Sequence, residues 1–290
     1  MSIAGLLFNL SAAWGDKKRD SAIALPAGVA EYRNISYGAF GQDNLLDVYL
    51  PRDTATPLPT IVSIHGGGYV YGSKEVYRRF GMDMAKRGFA FVNFNYRLAP
   101  KWKFPTPLWD TNAVMEWILQ NHRRYFLDPG RIILIGDSAG AQLASQYAAM
   151  YANPAYAARI GLKIPGVTIR AAGLYSGFYD IPGFAAGSFK GLANDYLGRN
   201  FNLSDPRLDV LGAISGSYPP TFLSTSCNDF LRDCAEPMYD FLTARGVEAQ
   251  WHCYGTEEAK HVGHVFHVNI ILPEARQCND DAAEFFRNYV

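Results

Sequence analysis

Gly136-Asp137-Ser138-Ala139-Gly140 places a hydroxyl nucleophile between two glycines. Before it runs Arg131-Ile132-Ile133-Leu134-Ile135, a β-branched apolar run that predicts a buried strand. After it, Ala141 to Met150 is a run of good helix formers. Strand, G-x-S-x-G and helix in that order predict a nucleophile elbow, a tight turn that lifts the serine hydroxyl above the end of a sheet. The glycines relieve the crowding of such a turn because they carry no Cβ. The helix start aims amide N–H groups and a positive dipole end at the place where negative charge would form.

A serine hydroxyl attacks only when a neighbouring base takes its proton, and that base needs a third group to hold its tautomer. On an open α/β sheet these partners are expected on loops after later strands, in the order Ser, Asp, His. The run Thr221–Ser226 is followed by Cys227-Asn228-Asp229, which puts Asp229 just past a strand's carboxyl end. Asp229 is the expected acid and Asp233 the alternative; a helix N-cap is the competing structural role for Asp229. Of six histidines, His261, His264 and His267 form an H-x-x-H-x-x-H run after the strand that ends near Tyr254. We take His264 as the base, with His261 and His267 as the other candidates. Such spacing can also converge on a metal ion, but neither an HExxH motif nor a cysteine partner accompanies it, so no metal is expected.

His65-Gly66-Gly67-Gly68 follows a second buried run, Thr60–Ile64. A glycine backbone can approach a ligand closely and donate N–H groups without obstruction. The N–H groups of Gly67 and Gly68, with that of Ala139 after the serine, make a candidate oxyanion hole.

These motifs need a scaffold, and its pattern is legible. Strand-like runs at 35–37, 46–50, 60–64, 89–93, 132–135, 171–175, 221–225 and 249–254 alternate with helical stretches at 75–87, 110–121, 139–151, 235–245 and 280–289. This predicts an α/β fold, a mostly parallel sheet with helices on both faces, opened by a hairpin. The stretch 178–218, rich in Gly and aromatics, interrupts the alternation and reads as a lid or binding insertion. With residues 1–30 it is expected to form a small helical cap. Tyr69, Phe178 and Tyr179, together with Phe184, Phe189, Tyr196 and Phe201, are candidate pocket walls. At the N-terminus Ile3, Leu6, Leu7, Leu10 and Trp14 make a one-sided helical stripe, expected to pack on the protein's own surface. Lys17-Lys18-Arg19 follows that stripe, whereas a signal peptide carries its charge in front.

The 290 residues are enough to bury a large core. Twenty-seven basic and twenty-seven acidic residues cancel, which argues against nucleic acid or an anionic membrane as the main partner. No stretch is long enough to span a bilayer. The four cysteines, Cys227, Cys234, Cys253 and Cys278, match no zinc spacing and are expected to be reduced thiols in a cytoplasmic protein, with a Cys227–Cys253 pairing as the alternative.

Taken together, His65-Gly-Gly-Gly68, Asn95-Tyr-Arg-Leu-Ala-Pro100 with Phe104-Pro105, Gly136-Asp-Ser-Ala-Gly140, Asp229-Phe-Leu-Arg-Asp233 and His264-Val-Phe266 resemble the hormone-sensitive-lipase-like branch of the α/β-hydrolases, microbial carboxylesterases that carry an HGGG motif. The resemblance implies a single α/β-hydrolase domain over 1–290. It implies Ser138 as nucleophile, His264 as base, Asp229 as its orienter, and Gly67, Gly68 and Ala139 as oxyanion donors. It further implies hydrolysis of a small, short-chain acyl ester through an acyl-serine, with no cofactor. A small-amide hydrolase such as an aryl formamidase, or a non-catalytic ligand receptor on the same fold, are the alternatives. The oligomeric state is left open, with a homodimer among the options. The family's histidine motif usually reads H-G-F, and here Val265 replaces the glycine.

Overall fold

The computed structural model describes residues 1–290, and each strand-like run of the sequence forms a strand. They are β1 (Val29–Ser36), β2 (Leu45–Pro51), β3 (Leu58–Ile64), β4 (Ala90–Phe94), β5 (Leu127–Asp137), β6 (Ile169–Tyr175), β7 (Thr221–Ser226) and β8 (Ala249–Tyr254). They build one eight-stranded sheet in the order β1-β2-β4-β3-β5-β6-β7-β8. The opening hairpin β1/β2 is antiparallel and joins β4 antiparallel, and all later pairings are parallel.

The helices are α1 (Ile3–Ser21), α2 (Arg78–Lys86), α3 (Thr106–Asn121), α4 (Ala139–Ala152), α5 (Pro154–Ile160), α6 (Ile181–Ala186), α7 (Lys190–Leu197), α8 (Val210–Ala213), α9 (Ala235–Thr243) and α10 (Pro273–Arg287). Alternation along the central strands decides where they pack, because successive side chains leave a strand on opposite faces. Ile132 and Leu134 enter the core shared with α3, α4 and α9, whereas Ile133 and Ile135 enter the core shared with α2 and α10. Apolar side chains on both faces explain why these strands read as continuous hydrophobic runs. The sheet is thus covered on both sides, an α/β-hydrolase fold, and its carboxyl edge carries the loops that follow β3, β5, β7 and β8.

Short α6, α7 and α8 lie in the 178–218 insertion, started by Asp180 at α6 and Asp209 at α8, whose side chains accept the Gly183 and Gly212 amides. The N-terminal stripe does form a helix, α1, capped by Ser2, whose hydroxyl accepts the Gly5 amide at 3.0 Å. Its orientation corrects the expectation. Ile3, Leu6, Leu7, Leu10 and Trp14 all face solvent, and Gly5 is the helix's one buried residue. The side turned toward the protein carries Phe8 and Ala12 together with polar side chains that bond to it. Asn9 donates to the Val70 carbonyl at 3.1 Å, Arg19 donates to the Val76 carbonyl at 3.0 Å, and Asp16 accepts the Tyr71 hydroxyl at 2.8 Å.

The four cysteines are free thiols, with the Cys227 and Cys253 sulfurs 3.4 Å apart at the ends of neighbouring strands. No helix is long and apolar enough to cross a membrane.

Candidate active site

The turn between β5 and α4 leaves no room for side chains at its two glycines. A Cβ on Gly136 would stand 2.2 Å from the Gly140 carbonyl oxygen, and one on Gly140 would stand 2.1 Å from the Ile64 carbonyl oxygen on β3. Between them Ser138 takes φ 52°, ψ −120°, a backbone conformation that non-glycine residues rarely adopt. That strain is held by its neighbours: the Ser138 amide donates to the Tyr175 carbonyl at 2.9 Å, while its own carbonyl accepts the Ala141 and Gln142 amides at the start of α4.

Only one of the three clustered histidines reaches the serine. His264 Nε2 lies 3.0 Å from Ser138 Oγ, and its Nδ1 lies 2.8 Å from Asp229 Oδ1. His267 is buried and stacks on Tyr175 at 4.3 Å; burial, with the Arg19 charge second, lowers its pKa to about 3. His261 points outward, with Glu274 4.0 Å away. The three rings therefore diverge and do not share a centre.

Asp229 sits past β7, as its place in the sequence predicts, and accepts the Leu231 amide at 2.8 Å on the oxygen that faces His264. Burial pushes its carboxyl upward, but the hydrogen bond and charge of His264, the nearby Ser176 hydroxyl and the Leu231 amide outweigh burial and hold it below the ordinary carboxylate value. Asp233 makes no such contact with His264. The loop carrying His264 is tied down from the Asp229 side. Ser226 donates to the Gly263 carbonyl at 3.1 Å, and Asn228 donates to the Thr256 and Ala259 carbonyls. The residue after the histidine, Val265, has φ 58°, ψ 32°, a left-handed conformation that a β-branched side chain resists. Its amide donates to Ser176 Oγ at 3.3 Å.

The glycine loop after β3 lies against this elbow. A Cβ on Gly66 would come within 2.5 Å of Asp137 Oδ2, and one on Gly67, at φ 114°, would come within 2.2 Å of the Tyr71 carbonyl oxygen. His65 is fully buried beneath the loop, stacked on Tyr96 at 4.1 Å, with Nδ1 2.7 Å from the Gly66 carbonyl; burial lowers its pKa to about 4, so it is neutral near pH 7. Tyr96 in turn donates to the His65 carbonyl at 3.1 Å. Next to it, Arg97 makes a forked ion pair with Asp110 at 2.7 Å. The Asn95–Pro100 segment is therefore a brace for the glycine loop.

Asp137 and its partner Tyr77 belong to this site although sequence reasoning gave them no role. Asp137, inside the serine pentapeptide, is wholly buried and accepts the Tyr77 hydroxyl at 2.7 Å and the Gly66 amide at 3.2 Å. Burial, against the Tyr77 hydrogen bond and the His264 charge, raises its pKa to about 7. The signal available in the sequence was an acidic residue two positions past a run that predicts a buried strand.

A cavity of about 450 Å³ opens onto Ser138 and His264. Gly66 and Gly67 line it from the glycine loop, and Phe8, Ala12 and Asp16 line it from α1. Gly68 lies under Leu192 and Phe8, and Ala139 is fully buried at the start of α4. The expected wall residues Tyr69, Phe178 and Tyr179 are buried and are not in its lining. Tyr69 stacks on Tyr196 at 3.7 Å and donates to Gln142, which gives it a packing place between α7 and α4. Phe178 reaches the site indirectly. It stacks on Phe184, Phe184 on Phe189, and Phe189 meets Phe230, whose exposed ring lies 4.2 Å from that of His264.

A family model described as the alpha/beta hydrolase fold matches residues 61–268. An α/β hydrolase of Acanthamoeba polyphaga mimivirus is 30% identical over 205 residues, covering 68% of this chain and 59% of that protein. Carboxylesterase NlhH of Mycobacterium tuberculosis is 29% identical over 227 residues, 72% of this chain and 70% of its own. Arylacetamide deacetylase of Bos taurus is 38% identical over 110 residues, 35% of this chain and 27% of its own. This chain thus spans less than two thirds of the mimivirus and bovine proteins. Among solved structures, esterase B from Lactobacillus rhamnosis is alike in fold, with a TM-score of 0.88 at 23% identity over 99% of this chain and 95% of that one. An esterase from the bacterial hormone-sensitive lipase family has a TM-score of 0.73 at 25% identity over 94% of this chain and 89% of that one.

Proposed function

The chain belongs to the α/β-hydrolase family, in its hormone-sensitive-lipase-like branch, and from that premise we propose that it hydrolyses carboxylic esters through an acyl-serine formed on Ser138. The observation that carries this reading is the relay Ser138–His264–Asp229, at 3.0 and 2.8 Å. Ser138 Oγ attacks the ester carbonyl while its proton passes to His264 Nε2. Asp229, kept ionised, holds the Nδ1 proton and steadies the imidazolium. The amides of Gly67, Gly68 and Ala139 serve the oxyanion, each worth on the order of 3 kcal/mol of transition-state stabilisation. His264 then protonates the departing alkoxide. Water, deprotonated by the same histidine, attacks the acyl-serine and releases the acid, so every proton transfer runs through groups named here.

The 450 Å³ cavity supports a small substrate with a short acyl chain. The free thiols fit the reducing setting of a cytoplasmic protein. Turnover of p-nitrophenyl esters from acetate to decanoate, with Ser138→Ala alongside, tests the reading. A peak at short chains that vanishes in the variant is expected, and activity that survives in Ser138→Ala overturns the mechanism.

The likeness to arylacetamide deacetylase favours a second reading, hydrolysis of a small aryl amide by the same steps. Acetanilide turned over faster than phenyl acetate would put it first. Failure of a fluorophosphonate to label Ser138 would leave only a non-catalytic binding role.

A further inference from the structure

Helix α1 turns a row of apolar side chains to solvent. Ile3, Leu6, Leu7, Leu10 and Trp14 are 81, 52, 62, 60 and 69% exposed and form one continuous outward face. In water such side chains are each worth about 1.5–3 kcal/mol if covered, and a contiguous patch of them marks a surface that meets something apolar.

Charge identifies the occupant. The acids of the helix turn inward and are matched: Asp16 by Arg19 and the Tyr71 hydroxyl, Asp20 by Arg19 and Arg79. Lys17 and Lys18 continue the outward face, exposed and without a carboxylate partner, and the Lys18 ammonium lies 5.4 Å from the centre of the Trp14 ring. The outward face is therefore apolar for three turns, bounded by a tryptophan, and purely cationic in its last turn. That sequence of chemistries suits the boundary between acyl chains and anionic headgroups. The chain's zero net charge speaks for its whole surface and hides this local excess. A second copy fits less well. The face of a 19-residue helix is a strip roughly 28 Å by 10 Å, well short of the about 800 Å² per partner that a stable pairing buries.

The opposite side of the same helix lines the cavity above Ser138 through Phe8, Ala12 and Asp16. We propose that α1 docks the protein reversibly, without insertion across the bilayer, on an anionic lipid surface, and so brings the mouth of the catalytic cavity to esters dissolved in that lipid. The choice of ester substrate rests on the function proposed above, whereas the docking does not.

The test is flotation of the full chain with phosphatidylcholine vesicles, with and without phosphatidylglycerol, at low and high salt. The parent should float with the anionic vesicles and be released by salt. The pair Leu6→Gln/Leu10→Gln should bind at least about tenfold more weakly, since both side chains lose their apolar contact. Lys17→Glu/Lys18→Glu should bind about tenfold or more weakly and lose the salt dependence. All variants should keep the parent's thermal melt and its turnover of soluble p-nitrophenyl acetate. No flotation, or flotation that both variants retain, overturns the proposal. So does a dimer in light scattering that the leucine pair breaks, which assigns the face to a second copy. Flotation without turnover in the parent would sink the esterase reading and leave the docking standing.

Discussion

Replacing Asp137 by asparagine should favour the variant over the parent more at alkaline than at acidic pH. The carboxyl is fully buried and its pKa rises from 3.8 to about 7, because burial penalises the charge more than the Tyr77 hydroxyl and Gly66 amide repay it. An acid whose folded value lies above its unfolded one binds its proton more tightly in the native state. Its contribution to stability is then complete below about pH 4, declines as pH rises, and levels off above about pH 7. The interval corresponds to roughly 4 kcal/mol, of which about 2–3 kcal/mol falls between pH 5 and pH 8. Asparagine has one acceptor oxygen for two donors, so it removes the charge but leaves the Gly66 amide or the Tyr77 O–H without its carboxylate partner, a cost that does not change with pH. Urea unfolding of both proteins at the two pH values isolates Asp137 from the other titrating groups. The advantage of Asp137→Asn should be larger at pH 8 by roughly 2–3 kcal/mol. Equal advantage at both values, or a variant that loses ground as pH rises, would refute the assignment of a buried, reluctant charge. Asp137→Leu supplies the contrast. It strips the Tyr77 O–H of its acceptor, while the Gly66 amide keeps the Tyr77 oxygen at 3.0 Å, and should destabilise by about 1–3 kcal/mol at either pH.

Three other outcomes follow from the same geometry. Asp229→Asn should fold normally but lower kcat on a p-nitrophenyl ester about ten-thousand-fold, because the amide favours the wrong His264 tautomer; a loss under tenfold would remove Asp229 from the relay. Gly67→Ala places a methyl 2.2 Å from the Tyr71 carbonyl, must displace the glycine loop, and should lower kcat on a p-nitrophenyl ester at least about a hundredfold; a loss under tenfold would remove Gly67 from the oxyanion hole. Val265→Gly releases a β-branched residue from φ 58°; about 1–2 kcal/mol of relief against about 0.4–1 kcal/mol of added unfolded-chain entropy predicts a small net gain in urea stability, and a net loss would show that Val265 packing outweighs its strain.

The parts of the site that were legible in the sequence are those whose chemistry and backbone demands coincide. Ser138 could be read because a glycine on each side signals a turn without Cβ space, and the strand and helix around it have opposite periodicities. Asp229 followed from its place at a strand's end, and the eight strands from their apolar runs. Choosing among His261, His264 and His267 was not possible from spacing alone, because the H-x-x-H-x-x-H run lies on an irregular loop. The ring directions there are set by distant ties such as Ser226 to Gly263 and Asn228 to Ala259. The wall residues show the limit of composition. Phe178 and Tyr179 were flagged because aromatics fill an insertion, but an aromatic serves a cap core as well as a pocket, and only the path Phe184–Phe189–Phe230 leads back to His264. Asp137 was hidden for a different reason. Its role depends on Tyr77, sixty residues earlier in the chain, and no local pattern records that pairing.

Helix α1 shows why a periodic pattern predicts a helix more safely than it predicts the direction the helix faces. Ile3, Leu6, Leu7, Leu10 and Trp14 establish that one side differs from the other, and on a protein surface that apolar side is expected to face the core. What reverses it is the other side, which packs Phe8 on the core and has polar groups with partners there. Ser2 meets Asp195, Asn9 meets the Val70 carbonyl, Asp16 meets Tyr71, and Arg19 meets the Val76 carbonyl. Each such bond is worth only about 1 kcal/mol net, because water competes for the same groups. A helix fastened in that way, with Gly5 as its one buried residue, is held less firmly than the core helices. Whatever covers its outer face therefore contributes directly to how well the cavity is roofed. An apolar surface that seats Leu6, Leu7, Leu10 and Trp14 would fix α1 over Ser138, and removal of that surface would loosen the Phe8, Ala12 and Asp16 side of the cavity with it.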